Sequence, residues 1–356
     1  MTDAPEILID RAAGVGVVTL NRPQALNALT LAMVRGLDRQ LAAWADDRSV
    51  RIVVIRGAGE RAFCAGGDIR ALYESGRSKT DTLTADFYRE EYHLNRRIKR
   101  YPKPYVALMD GVTLGGGVGV SVHGSHRVVT ERTLFAMPET GIGLFPDVGG
   151  TYFLPRCPGR IGTYLGLSGA RLKAADCHYA GLATHAVPSA RLDELVAALR
   201  HPGLDTDARE IVDEVLSEFA EAPGPPPLVA HREAIDRCFA APNVEAIEAA
   251  LGAEGGEWAQ ATLKAMAEKS PLCQKVTRLA IARGADLGFE DCMVMEYRLV
   301  QRAMAAHDFY EGVRAAVIDK DRSPRWRPAS LAKVSDAEVE AWFAPLGAED
   351  LVFDEC

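Results

Sequence analysis

Two carboxylates stand close together in a segment made mostly of glycine, proline and apolar side chains. Glu139 and Asp147 are the charged residues of PETGIGLFPDVGG, residues 138–150. Two nearby carboxylates in an apolar pocket raise the pKa of at least one of them, which suits acid/base chemistry near neutral pH. The plainer alternatives are a helix cap or a turn aspartate. The segment by itself leaves both open.

Glycine clusters are the second feature with chemical potential. They are CAGGDI at 64–69 and LGGGVG at 114–119. A glycine lets a backbone N–H approach a ligand closely, as an oxyanion hole or an anion nest requires. Turn or packing roles are the commoner explanation for a single cluster. The functional interpretation gains support at 104–124, where a strand leads through glycines into a helix whose N-terminus offers free N–H groups.

Several familiar catalytic motifs are incomplete in this sequence, because each lacks a residue that the motif requires. GGGVGVSV does not fit GxGxxG in any register, and no Gly-Lys-Ser/Thr ending completes a phosphate-binding loop. Ser121 lies in GVSVH, where a nucleophile elbow needs a second glycine in place of His123. His123 and His126 have no third ligand at a suitable spacing, so we expect no metal site. Nucleotide, serine-hydrolase and metal chemistry are disfavoured.

Other reactive side chains are expected to be structural. A cysteine outside a defined motif is usually a small buried hydrophobe, and tyrosines more often pack in a core than form a stacking platform. Adjacent glutamates in FYREEYHLNRRIKRYP are typical of a solvated helix face with Glu to Arg pairs. These residues are Cys64; Tyr88, Tyr92, Tyr101 and Tyr105; and Glu90 and Glu91.

Composition narrows the class of protein. The net charge is −8 over 356 residues, with no block of Lys or Arg, so we expect no nucleic-acid and no membrane partner. The acidic N-terminus resembles neither a secretory signal nor a transit peptide, which predicts a cytoplasmic protein. The seven cysteines are scattered without a CxxC pair, and we expect them to be reduced.

The elements that must position these residues follow from hydrophobic periodicity. Strands are predicted at 15–23 and 51–59 around a helix at 29–47, then a strand, a glycine turn and a helix over 103–124, and two short strands over 126–139. The proline run at 221–230 cannot continue a helix. Helices follow over 229–318, and Ser335 is the predicted N-cap of a short helix ending near Phe343. We therefore predict an α/β core at 1–200, followed by a helical region at 201–356.

Taken together, the ordered motifs resemble the crotonase (enoyl-CoA hydratase/isomerase) superfamily. The resemblance rests on NRPQALNAL, AFCAGGDIRAL, REEYHLN, KPYVALMDGVTLGGGVG, MPETGIGLFPDVGGTYFLPR, LSGARLKAADCHYAGLATHAVP and HDFYEGVRAAVIDKDRSPRW. It spans roughly residues 7–330 and is greatest to a branch that hydrolyses 3-hydroxyisobutyryl-CoA. It implies a spiral of β-β-α units with a helical C-terminal region.

The resemblance also implies an acyl-CoA thioester as substrate. By matched position, the backbone N–H groups of Gly67 and Gly116 hold the thioester oxygen. No cofactor is implied, because CoA is part of the substrate. A homo-oligomer is implied only loosely: superfamily members often form trimers through C-terminal helices, but the C-terminal half of this branch is longer and different.

Departures within the superfamily indicate the reaction. Hydratases carry a glutamate at the position of Gly119 and another at Glu139, whereas this chain has the second alone and adds Asp147. Hydrolysis needs an activated nucleophile, a stabilised oxyanion and proton management as the thiolate leaves. We therefore expect Glu139 to attack the carbonyl or to activate water, and Asp147 to orient the substrate hydroxyl or the water and to tune Glu139.

Glu91 is the weaker candidate in the site that the resemblance implies. Its expected role is contact with the 3-hydroxyl of the substrate or support of the other carboxylates. The substrate-binding residues are then Glu91, Gly116, Glu139 and Asp147. A hydratase or isomerase acting on enoyl-CoA, and an acyl-CoA binder without catalysis, are the alternatives.

Overall fold

The computed structural model describes residues 5–78, 82–200 and 207–353. The chain forms two compact units that interleave along the sequence. The first comprises residues 1–67, 93–135 and 172–226, and the second comprises 68–92, 136–171 and 227–356. The predicted boundary after residue 200 falls at 201–206, outside the described residues, and stays a prediction.

The strands lie in the first unit, apart from the last residue of β8. Their bounds are β1 Ile7–Ala12, β2 Val15–Leu20, β3 Ile52–Gly57, β4 Ala62–Cys64, β5 Tyr105–Met109, β6 Val112–Leu114, β7 His126–Val129, β8 Leu134–Ala136 and β9 His185–Ala186.

Two sheets arise from a repeated step along the chain. The larger has the order β1-β2-β3-β5-β7-β9, parallel except for the antiparallel β1–β2 pair. The smaller has the order β4-β6-β8. Each of β3, β5 and β7 is followed closely by a short strand of the second sheet. This repetition is the predicted spiral, and the mixed α/β fold class is confirmed.

Helices occupy most of the remaining chain. Their bounds are α1 Leu31–Asp46, α2 Ile69–Ser78, α3 Leu83–Lys99, α4 Gly116–Gly119, α5 Gly150–Phe153, α6 Ile161–Ser168, α7 Ala174–Tyr179, α8 Leu192–Leu199, α9 Ala208–Phe219, α10 Arg232–Phe239, α11 Val244–Glu254, α12 Gly256–Ala267, α13 Pro271–Gly284, α14 Phe289–Ala305, α15 His307–Val313 and α16 Asp336–Trp342. In the described ranges, no helix is long and apolar enough to span a bilayer.

The core of the first unit explains its sequence pattern. Alternate residues of β2, β3 and β5 share one face of the sheet and are buried. They pack on apolar residues that recur every three or four positions in α8 and α9, such as Leu195, Leu199, Val212 and Leu216. Apolar residues that recur every two positions in the strands and about every 3.6 positions in the helices therefore form one shared core.

Most sequence-predicted elements are confirmed, with one clear exception. The two strands of 126–139 form, helices fill the region after the prolines, and the Ser335 hydroxyl accepts the N–H of Glu338 at 3.2 Å to cap α16. The helix predicted to run to residue 124 is wrong in length, because α4 ends at Gly119. Its closely spaced glycines disfavour helix, and the Ser121 hydroxyl bonds the carbonyls of Gly117 and Val118.

Candidate active site

The part of α3 that belongs to the second unit buries polar side chains on one face. Tyr88, Glu91 and Tyr92 lie at positions i, i+3 and i+4, so their side chains share that face, and all three are buried. The prediction of a solvated helix face is wrong for Glu91, which is 2% exposed. The charge pattern led to the wrong prediction because the buried tyrosines on the same face, and not the neighbouring charges, show that this face is covered.

Glu139 and Asp147 lie at the two ends of the loop that first drew attention. Glu139 begins a short 3-10 helix, Glu139–Ile142, and Asp147 begins a turn in which its carbonyl accepts the N–H of Gly150 at 2.7 Å. Both side chains are buried. The loop therefore directs two carboxylates into the interior of the second unit.

Asp147 is the group that links the buried acids. The hydroxyl of Tyr92 donates to its Oδ2 at 2.9 Å. Burial raises the pKa of Asp147 from 3.8 to about 7, although the Tyr92 hydrogen bond acts to lower it. Burial, followed by the charge of Asp147, raises the pKa of Glu139 and of Glu91 well above 4.5. Glu91, Glu139 and Asp147, hereafter the carboxylate cluster, are thus one electrostatic unit.

Three buried polar atoms in or beside the carboxylate cluster lack a hydrogen-bond partner among the described residues. They are Glu139 Oε2, Glu91 Oε1 and the hydroxyl of Tyr88. Buried polar atoms are nearly always satisfied in folded proteins, and exceptions concentrate where a ligand or a reacting group is received. The cluster is therefore suited to bind a polar ligand and exchange protons with it.

Lys269 is a cation whose charge acts on Glu139. Its Nζ would lie only 3.2 Å from a Cβ placed on Gly141, two residues beyond Glu139. Burial lowers the pKa of Lys269, while the charge of Glu139 acts to raise it. In return, Lys269 opposes the rise in the pKa of Glu139.

The two predicted oxyanion donors lie in adjacent glycine turns of the first unit. Gly66 has φ +106°, and a Cβ on it would lie 3.8 Å from the amide nitrogen of Gly116. A Cβ on Gly117 would meet the carbonyl oxygen of Cys64 at 2.1 Å, so only glycine fits there. Gly116 is the first residue of α4, where an amide has no partner within the helix. The structure thus brings Gly67 and Gly116 into neighbouring turns.

The side chains expected to be structural mostly are. The hydroxyls of Tyr101 and Tyr105 donate to backbone carbonyls of Leu41 and Val120. The six described cysteines, including Cys64, form no disulfide and are buried; Cys356 lies outside the described residues. Among the described residues, no group of three or more His, Cys, Asp or Glu side chains is placed to hold a metal ion. Tyr92 packs edge-on against Tyr88 and Tyr297 as predicted, and in addition its hydroxyl donates to Asp147.

Glu296 received no role from the sequence, yet it lies beside the Asp147 loop. Its Oε2 accepts the N–H of Gly149 at 2.7 Å. A signal was available, since Glu296 falls among Met293, Leu299 and Val300 at helical spacing, on a buried face of α14. An ionisable side chain is seldom fully buried in a folded protein unless it has a partner.

Comparison with known proteins identifies the family. The family model for enoyl-CoA hydratase/isomerase matches residues 15–343. The chain belongs to the enoyl-CoA hydratase/isomerase family. Within it, the chain is 49% identical over 350 residues to "3-hydroxyisobutyryl-CoA hydrolase, mitochondrial" of Danio rerio, covering 97% of this chain and 91% of the relative. The Gallus gallus protein of that name is 47% identical, covering 98% and 91%.

A solved structure of the family has nearly the same fold. The carnitinyl-CoA dehydratase of Mycobacterium thermoresistibile superposes with a TM-score of 0.91 at 44% identity, covering 99% of both chains. Its described activity differs from that of the relatives above, so the fold and the identity do not by themselves choose the reaction.

The expected cytoplasmic location is contradicted by the family comparison. Both relatives carry the word mitochondrial in their names, which points to the mitochondrion rather than the cytoplasm. The expectation rested on the composition of the first residues, which does not determine where a protein of this family resides.

Proposed function

We propose that this protein is a thioesterase that hydrolyses 3-hydroxyisobutyryl-CoA to 3-hydroxyisobutyrate and CoA, a step of valine breakdown. The observation that carries the proposal is the buried cluster of Glu91, Glu139 and Asp147, in which the Oε2 of Glu139 has no hydrogen-bond partner among the described residues. The names of the curated relatives support the same substrate.

Glu139 performs the central step in this proposal. Its carboxylate either attacks the thioester carbonyl to give an anhydride, with CoA leaving as the thiol, or removes a proton from an attacking water. The amides of Gly67 and Gly116 hold the oxygen on which negative charge develops, and one such donor contributes on the order of 3 kcal/mol.

Asp147 and Glu139 exchange a proton during the reaction. Because its pKa is about 7, it accepts and releases a proton at little cost near neutral pH. Its charge also raises the pKa of Glu139, which makes Glu139 a stronger base once it is ionised. Asp147 thus holds the proton that Glu139 must lose and returns it as the thiolate leaves.

Glu91 contacts the 3-hydroxyl of the acyl group in this scheme. Its Oε1 is buried without an internal partner in the part of the chain described, and a substrate hydroxyl supplies the missing donor. A site that hydrogen-bonds a hydroxyl discriminates strongly against an analogue that lacks one.

Hydration or dehydration of an enoyl-CoA is the second candidate, because the carnitinyl-CoA dehydratase shares the fold. The residue at 119 argues against it. Gly119 ends α4 without a side chain, where the hydratases that the sequence resembles carry their first glutamate. The chain therefore lacks one of their two carboxylates.

Two assays on the purified protein separate these functions. Thiol release from 3-hydroxyisobutyryl-CoA reports hydrolysis, and loss of the ultraviolet absorbance of crotonyl-CoA reports hydration. The proposal expects rapid thiol release and little loss of absorbance. Absorbance loss without thiol release would favour the lyase, and binding without either signal would favour an acyl-CoA binder.

Heavy-oxygen water separates the two routes open to Glu139. After a single turnover, label in the Glu139 carboxyl supports the anhydride. Label in the product acid alone supports direct attack by water.

The remaining parts of the proposal concern other molecules. The protein uses no cofactor, since CoA enters as part of the substrate, and it associates as a homo-oligomer. Support for the oligomer is the resemblance to a superfamily that often forms trimers. Light scattering after size exclusion measures the mass, and a monomer near 38.5 kDa at assay concentrations would contradict it.

A further inference from the structure

We infer that Glu296 is a positioning residue for Asp147, because its buried carboxylate holds the turn from Val148 to Thr151 in the conformation that directs Asp147 into the carboxylate cluster. This positioning role is independent of the reaction. Only its consequence for turnover rests on the proposed function.

The contacts of Glu296 bind one turn at two points. Its Oε2 accepts the N–H of Gly149 at 2.7 Å, and its Oε1 accepts the N–H of Thr151 at 2.8 Å. The Thr151 hydroxyl also donates to Oε1, at 2.6 Å. The side chain is 0% exposed and projects from the middle of α14. One carboxylate thereby ties a long helix to the residues that follow Asp147.

The bound turn is strained and needs such support. Val148 has φ +50° and Gly149 has φ +86°. A β-branched residue in the left-handed region is a genuine outlier, and such conformations persist only where the surroundings enforce them. Since Val148 directly follows Asp147, relaxation of its backbone reorients the Asp147 side chain. The bonds to Glu296 are next to this residue and oppose that relaxation.

A purely structural role for Glu296 is the alternative. A carboxylate buried only to fill the core would be replaceable by an isosteric amide with an effect on stability alone. The observed arrangement requires two acceptor atoms, because both carboxylate oxygens of Glu296 accept hydrogen bonds from backbone N–H groups. In a glutamine, the NH₂ group must face one of these donors, so one of the two amide bonds is lost.

Removal of the Glu296 carboxylate acts on the titration of Asp147 in one direction. Loosening of the turn exposes Asp147 to solvent and relieves the burial that raises its pKa. The titratable groups that face Asp147 from the elements around it, and that stay in place, are Tyr88, Glu91, Tyr92 and Glu139.

The direct test is the titration of Asp147 by carbon-13 NMR in protein labelled at aspartate carboxyls. The Asp147 signal is assigned by its absence from D147N. In Glu296→Gln we expect its midpoint to fall by about 0.5 pH unit or more. In Thr151→Val, which removes the hydroxyl but keeps both amide bonds, we expect the midpoint of the original protein. An unchanged midpoint in Glu296→Gln, or an equal shift in Thr151→Val, would overturn the inference.

Kinetics give a second readout that a merely structural role would not produce. In folded Glu296→Gln, we expect kcat for thiol release to fall about tenfold or more with KM nearly constant, because misplacement of a reacting group affects the chemical step. If the unaltered protein releases no thiol, the proposed function fails, while the NMR titration still decides the role of Glu296. Should Glu296→Gln not fold, Glu296→Asp shortens the carboxylate by one carbon, and the same fall of the midpoint, smaller in size, is expected.

Discussion

At the scale of single residues, the carboxylate cluster explains why acids are buried in this protein. Glu91, Glu139 and Asp147 have raised pKa values because burial disfavours their charges and because Asp147 acts on the other two. Three acids in this condition carry fewer than three charges at neutral pH. The cluster therefore stores a proton that can move during a reaction.

The first prediction concerns the pH dependence of turnover. We expect kcat to rise with pH through about 7, as the Glu139–Asp147 pair loses the first of its two protons. Asp147→Asn removes the charge that raises the pKa of Glu139, so the remaining acid limb should move down by about one pH unit or more while kcat falls. A pH–rate profile of both proteins measures this. An acid limb that stays in place would show that Asp147 does not tune Glu139.

The second prediction uses two neighbouring glutamates as a matched pair. Glu91 is buried, whereas Glu90 is half-buried. Glu91→Gln should lower kcat/KM for 3-hydroxyisobutyryl-CoA about tenfold or more, with a smaller effect on isobutyryl-CoA, which lacks the hydroxyl. Glu90→Gln should stay within about twofold on both substrates. Equal losses on the two substrates in Glu91→Gln would remove Glu91 from recognition of the hydroxyl.

At the scale of elements, the glycine turns depend on close backbone approach. Gly117 lies in α4, and the carbonyl oxygen of Cys64 leaves no room for a side chain there. Its neighbour Gly116 presents the proposed oxyanion donor. The turn and the donor are consequently one feature of the fold.

This close approach makes a prediction with an internal control. Gly117→Ala should destabilise the protein by about 1–3 kcal/mol and lower turnover, because the added carbon displaces the backbone of the turn. Gly252→Ala lies in α11, where no described residue outside the helix comes within 4 Å of the Cβ position, and it should be neutral or stabilising by about 0.5–1 kcal/mol. Denaturation and thiol release measure both variants. A tolerated alanine at 117 would contradict the assigned geometry.

The elements show how far the sequence alone could lead. Periodicity located β2, β3 and α1 to within a few residues, since these elements follow the packing that it records. It did not predict β1, which is exposed on the edge of the sheet and lacks a buried pattern. The charge pattern wrongly predicted that Glu91 is exposed to solvent, because Glu to Arg pairing along α3 does not reveal which residues pack on the helix. The glycine turns and the Glu139–Asp147 loop were found early, since both rest on local composition.

At the scale of the whole molecule, the buried acids link stability to pH. A folded-state pKa above that of the unfolded chain means that the native protein binds more protons. The raised pKa values of Asp147, about 7, and of Glu296, about 8, contribute stability that is complete below the ordinary values near 4. It is lost progressively as pH rises from there, and the loss is complete once pH exceeds 7 to 8.

The corresponding prediction is a loss of stability on the alkaline side. Between pH 5 and 8, the free energy of unfolding should fall, with each such group contributing up to about 1.4 kcal/mol per pH unit. Asp147→Asn should fall less steeply than the unaltered protein, because one titrating group is gone. Urea titrations at several pH values measure the two slopes. Parallel slopes would show that Asp147 has an ordinary pKa in the folded protein.

The proposed hydrolysis depends most on the chemical role of Glu139. Two measurements on the Glu139→Gln variant, substrate affinity and turnover, test that role. Calorimetry of 3-hydroxyisobutyryl-CoA binding should give an affinity within several-fold of the unaltered protein, because the amide keeps the size of the side chain. Thiol release should fall by about a thousandfold, on the scale expected when a nucleophile or general base is removed. Near-normal thiol release by the folded variant would contradict the proposed mechanism at its centre.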